Sequence, residues 1–208
     1  MPTEYKQARE NMNDTSNGSN THNGHEFVDL GLPSGTLWAT CNVGATSPEQ
    51  AGLYFAFGET TGYTAEQVEN GIRKFDSANY TASSVSDNLT LEQDAAMANL
   101  GGNWHMPTKE DFEELLANCD AKWTYNYKGT KVSGHVFTSK TNGNSIFFPA
   151  AGFCSYSSVY GVGSGGNCWS ASWVSSSYAW HLFLYSGGQN LNYSYRFFGR
   201  PVRGVCKR

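Results

Sequence analysis

Trp180-His181-Leu182-Phe183-Leu184-Tyr185 alternates two leucines with His, Phe and Tyr. A period of two residues means a β-strand whose two faces differ. Leu182 and Leu184 point to a core, and His181, Phe183 and Tyr185 occupy the opposite face. Working outward from this strand, Pro201-Val-Arg-Gly-Val205 can form a last strand within Arg196–Val205. Upstream, a long Gly/Ser/Tyr stretch reaches back from Gly166. Before it, Val132–Ser139 and Ser145–Pro149 read as strands flanking Asn142-Gly143, a strong hairpin turn. The segment before Asp120 has a different character. Thr90-Leu-Glu-Gln93 is a capping box that opens a helix running through Asp94 to Leu100, stopped by Gly101-Gly102. Pro107-Thr108 opens a second helix, with Thr108 as N-cap and Phe112, Leu115, Leu116 and Cys119 as its apolar stripe. Three short strands precede these helices, at Phe27–Leu32, Leu37–Val43 and Leu53–Phe57, and residues 58–88 read as loop. Two helices with irregular antiparallel sheets give an α+β class.

The chain has 208 residues, 15% charged and 14% aromatic, with 23 glycines. Few charges and many aromatics exclude a disordered chain and a helical bundle. The net charge of −4 hides an asymmetry. All 18 acidic residues lie between Glu4 and Asp120, and the 88 residues from Ala121 onward contain nine Lys and Arg and no acid. Arg196, Arg200, Arg203 and Arg208 are therefore expected to pair with the acids of the two helices. An acidic balance argues against a general nucleic-acid binder, and no apolar run is long enough for a membrane span.

Residues 1–24 read as a flexible polar leader, without the basic and apolar regions of a secretory signal. Residues 25–208 read as one ligand-binding domain. His22 and His25 are three apart, but the leader offers no scaffold for further metal ligands. Cys41, Cys119, Cys154, Cys168 and Cys206 show no metal-binding spacing, and their odd number leaves at least one thiol unpaired per chain. The missing signal suggests folding in a reducing compartment.

Phe153–Arg200 carries the functional message. Its 48 residues include 13 aromatics, 11 Ser and 7 Gly, and no Asp, Glu, Lys or Met. That composition is close to a paratope's: Tyr and Trp supply contact area at low entropic cost, and Ser, Gly and Asn adapt their hydrogen bonds.

Six ordered segments carry a family resemblance. They are Gly31-Leu-Pro-Ser-Gly-Thr-Leu-Trp-Ala-Thr-Cys-Asn-Val-Gly-Ala, Gly58-Glu, Gly101-Gly-Asn-Trp-His-Met-Pro-Thr, Thr141-Asn-Gly-Asn-Ser-Ile-Phe-Phe-Pro-Ala-Ala-Gly, Cys168-Trp-Ser-Ala-Ser and Gly199-Arg-Pro-Val-Arg. Together, over roughly residues 26–206, they resemble the Fibrobacter succinogenes major paralogous domain of Bacteroidetes, which implies a C-type-lectin-like fold. His105 departs from the pattern, where Arg would precede Met-Pro-Thr. The C-terminal segment further resembles the variable region of proteins diversified by retroelements, in which template adenines are randomised. This resemblance implies a framework set (Trp169, Ser170, Ala179, Trp180, Leu182, Leu184, Arg203) interleaved with positions inside the reachable alphabet. Trp173 and Gln189 lie outside that alphabet and would be fixed.

The implied ligand-binding residues are Tyr156, Ser158, Tyr160, Trp173, Ser175, Ser177, Tyr178, His181, Phe183, Tyr185, Asn192, Tyr193, Tyr195, Phe197 and Phe198. The implied partner is a protein or glycan on a cell surface, the implied location a virion or bacterial surface, and no cofactor is expected. A fixed-sequence bacterial surface module is the alternative. Calcium-dependent sugar binding needs several hard oxygens, and no carboxylate follows Asp120. A catalytic triad lacks a local acid beside His135 or His181. The C-type-lectin-like fold also resembles that of the formylglycine-generating enzyme, which implies checking Cys154 and Cys168 as a possible catalytic pair.

Overall fold

The computed structural model describes residues 20–81 and 87–207. Most of the leader, and Arg208, therefore lie outside the described residues. All named strands pair antiparallel. One sheet runs in the order β1 (Thr21–His22), β2 (His25–Asp29), β3 (Thr36–Asn42), then the C-terminal β12 (Arg203–Lys207). A second has the order β4 (Cys119–Thr124), β5 (Gly134–Ser139), β6 (Ser145–Pro149). A third has the order β11 (Gly188–Tyr195), β10 (Tyr178–Tyr185), β9 (Gly165–Trp173). β7 (Phe153–Ser155) and β8 (Ser158–Tyr160) form a small hairpin. The helices among the described residues are α1 (Ala65–Glu69), α2 (Ala95–Leu100) and α3 (Lys109–Asn118), with 3-10 turns at Leu91–Gln93 and Tyr127–Gly129. None is long and apolar enough to cross a membrane. The class is α+β.

Strand pairing among the described residues includes Thr21 and His22, upstream of residue 25. His22 explains this, because its Nε2 accepts the N–H of Asn103 at 3.0 Å and its ring packs on Trp104. The expected strand at Leu53–Phe57 is instead an irregular segment with single bridges to Tyr63 and Arg200. Its Tyr54 enters one apolar cluster and Phe55 and Phe57 another, but its backbone bonds to different partners at successive residues, Tyr63 and then Arg200, so no ladder extends. The stretch read as loop contains α1, opened by a capping box between Thr64 and Gln67. The helix expected from Thr90 is broken at Asp94, whose extended backbone ends the 3-10 turn and whose side chain caps α2. α3 follows its sequence signals, with Thr108 and Asp111 capping each other reciprocally.

Strand alternation builds the core. On β3, Leu37 and Ala39 enter one apolar cluster with Phe55, Trp104 and Trp169, while Trp38 enters another with Phe112, Phe137 and Phe148. β12 repeats the arrangement: Cys206 joins the first cluster and Val205 the second. Both faces of this pair are thus buried.

Candidate functional site

The third sheet, its β9–β10 turn, the segment after β11 and the β7–β8 hairpin carry the residues singled out by sequence. On β10, Leu182 and Leu184 are buried in the second cluster, as their period requires. The opposite face is also covered in part, which corrects the expectation for His181. Its side chain is 3% exposed, packed edge-on against Trp169 with ring centroids 5.8 Å apart. Its Nε2 lies 3.3 Å from Nη2 of Arg200. Burial, then the Arg200 charge, push the imidazole well below its ordinary value of 6.5. His181 is therefore a neutral core group. Farther along the strand, Phe183 is half-buried and stacks on the exposed Tyr185 at 5.4 Å.

The other aromatics join into one chain of rings. Trp180 meets Tyr193 at 5.7 Å, Tyr193 meets Tyr178 at 5.8 Å, and Tyr178 stacks on Tyr195 at 4.8 Å. Tyr195 stacks on Phe197 and Phe197 abuts Phe198, each pair at 5.0 Å. Phe198 then contacts Phe153 at 5.5 Å, and Phe153 contacts Tyr160 at 5.8 Å. The register Tyr178↔Tyr195 and Trp180↔Tyr193 places the first four rings on one face of the β10–β11 pair. Tyr193 and Tyr195 are 53% and 43% exposed. Sequence reasoning assigned Trp180 to the framework and passed over Phe153, yet both are links of this chain. The signal for Trp180 was its parity with Tyr178. Lys109 caps that end, with Nζ 5.1 Å from the Trp180 ring centroid.

The serines divide by role. Ser175 organises the β9–β10 turn, its Oγ accepting the N–H of Ser177 and Tyr178 at 3.3 and 3.2 Å. Ser177 lends its carbonyl to the N–H of Arg196 at 3.0 Å and its side chain is exposed. Ser158 pairs with Ser155 in the hairpin and is half-buried, as is Trp173. Tyr156, at the hairpin tip, is 65% exposed and has φ 52°. A left-handed backbone on a tyrosine costs roughly 1–2 kcal/mol, and reciprocal backbone hydrogen bonds with Phe75, each 2.9 Å, hold it in place. Asn192 is exposed and its Oδ1 accepts the Tyr193 N–H at 2.8 Å. Tyr156 and the Phe183–Tyr185 pair stand apart from the ring chain.

Contrary to expectation, the acceptors of Arg200 and Arg203 are side-chain amides, hydroxyls and carbonyls rather than the helix acids, Arg196 reaches a carbonyl and two rings, and Arg208 lies outside the described residues. Arg203 is fully buried, donating to Asn42 Oδ1 at 2.9 Å and to the carbonyls of Ala39, Thr40 and Phe147 at 3.0, 2.9 and 3.1 Å. Arg200 donates to Ser194 Oγ at 2.7 Å and sits over Phe153, Trp169 and Phe198. Arg196 donates to the Ser176 carbonyl and stacks over Phe57 and Tyr80. The acids instead serve backbone donors. Asp94 receives the N–H of Met97 and Met106, and Glu114 receives Ser34. Carbonyls and ring faces take the place of carboxylates for these arginines because β12 and the segment before it carry all three into the core.

All five cysteines are unpaired. Cys154 and Cys168 are buried, and loss of solvent pushes each thiol up to about 12, far from thiolate reactivity at neutral pH. Among the described residues no group of three or more His, Cys, Asp or Glu could hold a metal ion. No protein-family model matches the chain, and no curated protein or solved structure matches it.

Proposed function

We propose that this chain is a ligand-binding protein of C-type-lectin-like architecture that displays a diversified aromatic surface to a protein or glycan on a cell surface. In this reading it is a variable protein of a retroelement, carried on a virion or a bacterial surface, and it binds noncovalently without a catalytic step. The observation that carries the reading is a separation by burial. The framework positions Trp169, Ser170, Ala179, Leu182, Leu184 and Arg203 are all within 1% of complete burial. Of the positions within the reachable alphabet, Tyr156, Tyr160, Tyr185, Tyr193 and Tyr195 are 40–65% exposed. Substitution at the second set changes the surface and spares the core. The exceptions are His181 and Cys168, both buried though within the reachable alphabet, and the framework residue Trp180, which is half-buried in the ring chain.

Affinity in this reading comes from aromatic anchors at the centre of the patch. Replacing Tyr178, Tyr193 and Tyr195 together by Ala should weaken binding by at least about a hundredfold, roughly 3 kcal/mol. The readout is a panel of immobilised bacterial surface proteins and glycans, with the melting temperature as control. A strongly lowered melting temperature would mean that the rings are core. Diversification has its own test, the flanking DNA. A near-copy of the 3′ end with adenines at these codons, beside a reverse transcriptase gene, is the expected finding, and an invariant gene across related strains would overturn that part.

A further inference from the structure

β11 is the outer strand of its sheet, paired with β10 over eight unbroken positions. Its free side differs from the other strand edges. The far edge of β9 is covered by loop backbone: Trp169 and Ala171 donate to Pro201 and Pro107, and Ala171 accepts from Leu89. The β4 edge carries Asp120 and Lys122, the usual deterrents to strand pairing. β11, Gly188-Gln-Asn-Leu-Asn-Tyr-Ser-Tyr195, has no charge, no proline and no bulge. The Tyr193 N–H is satisfied by its neighbour Asn192, and the Arg196 N–H bonds across the ladder to Ser177. Residues 189, 191 and 193 therefore aim their backbone groups away from β10. Among the described residues, no strand pairs with that side.

We propose that β11 is a dimer edge, joining a second copy of this chain antiparallel so that two three-stranded sheets become one of six strands. The occupant is argued from the strand's self-complementarity. With Leu191 opposite Leu191 of the second copy, Gln189 faces Tyr193 and Asn190 faces Asn192, so each neutral amide meets a hydrogen-bonding partner. In the same register Tyr195 lies opposite Gly187 and Ser194 opposite Gly188, and the glycines leave room for the ring. No like charges oppose each other at any position. A charged or bulky peptide loses these matches. The dyad is isologous, as a closed dimer requires, and it sets two aromatic chains side by side. This inference goes beyond ligand binding, and because Asn192, Tyr193 and Tyr195 belong to both surfaces, association is read in the absence of any ligand.

The test is sedimentation equilibrium over a wide concentration series, with amide hydrogen exchange followed over residues 189–193. The expected result is a monomer–dimer equilibrium in which the Leu191 amide gains protection as the dimer forms. A double variant, Asn190→Lys with Asn192→Lys, opposes like charges across the seam and should weaken the dimer at least about tenfold. Mixing it with Asn190→Asp/Asn192→Asp should restore association as a heterodimer. A monomer at every concentration overturns the proposal. So does a dimer that ignores the lysines, or one that leaves Leu191 unprotected, as does protection of β11 by an unrelated extended peptide and not by a second copy. If either variant fails to fold by circular dichroism, exchange in the unmodified protein decides alone.

Discussion

Arg203 does the work of a bolt. Its guanidinium feeds four acceptors on β3 and β6 and lies 4.4 Å from the Phe148 ring centroid. Arg203→Met should cost about 3–5 kcal/mol in urea unfolding, because Asn42 and three buried carbonyls lose their donor. His181 gives a pH signature. Its folded pKa lies below the ordinary 6.5, so below that value the unfolded chain binds a proton that the folded chain refuses. Stability is then complete above about pH 6.5 and falls as pH drops toward the folded value. His135, held low by burial, adds to the same slope. Thermal melts between pH 7 and 5 should show a decline, and His181→Asn should flatten it. These roles were hard to read from sequence. Alternation showed that the two faces of Trp180–Tyr185 differ, but not that the loop bearing Arg200 covers half of the second face.

At the level of elements, local signals were the legible part. The capping residues of α3, the Asn142-Gly143 turn and the alternation of β10 each state their own geometry within a few residues. Thr108→Ala removes the α3 cap, whose Oγ1 accepts the Asp111 N–H at 3.2 Å, and should cost about 1 kcal/mol in chemical denaturation. What stayed hidden is non-local. β9 and β11 lack clear alternation: β9 is buried almost throughout, and β11 is an edge with small polar residues. The break at Asp94 was hidden because the same carboxylate caps α2 and holds the Met106 backbone, twelve residues on. The candidate site was legible as a composition, Tyr, Ser and Asn without acids. Its geometry was not, since the ring chain is threaded through β7, β10, β11 and the segment after it.

For the molecule as a whole, the charge division has a plain resolution. Among the described residues, Asp94 and Glu114 of the first part bind backbone N–H groups, arginines of the second bind carbonyls and rings, and the Lys140–Asp120 contact between the parts, at 3.9 Å, is an exposed surface pair. The two parts are joined instead by strand pairing between β3 and β12. That pairing has a consequence in time. β3 ends at Asn42, while its partner spans Arg203–Lys207 at the far end of the sequence. A growing chain must therefore have emerged as far as Lys207 before the central sheet can close. Until then Leu37 and Trp38 have one neighbouring strand missing, and a chaperone can hold this edge. Nascent chains stalled before residue 203 should be digested rapidly by protease, and full-length released chains should resist.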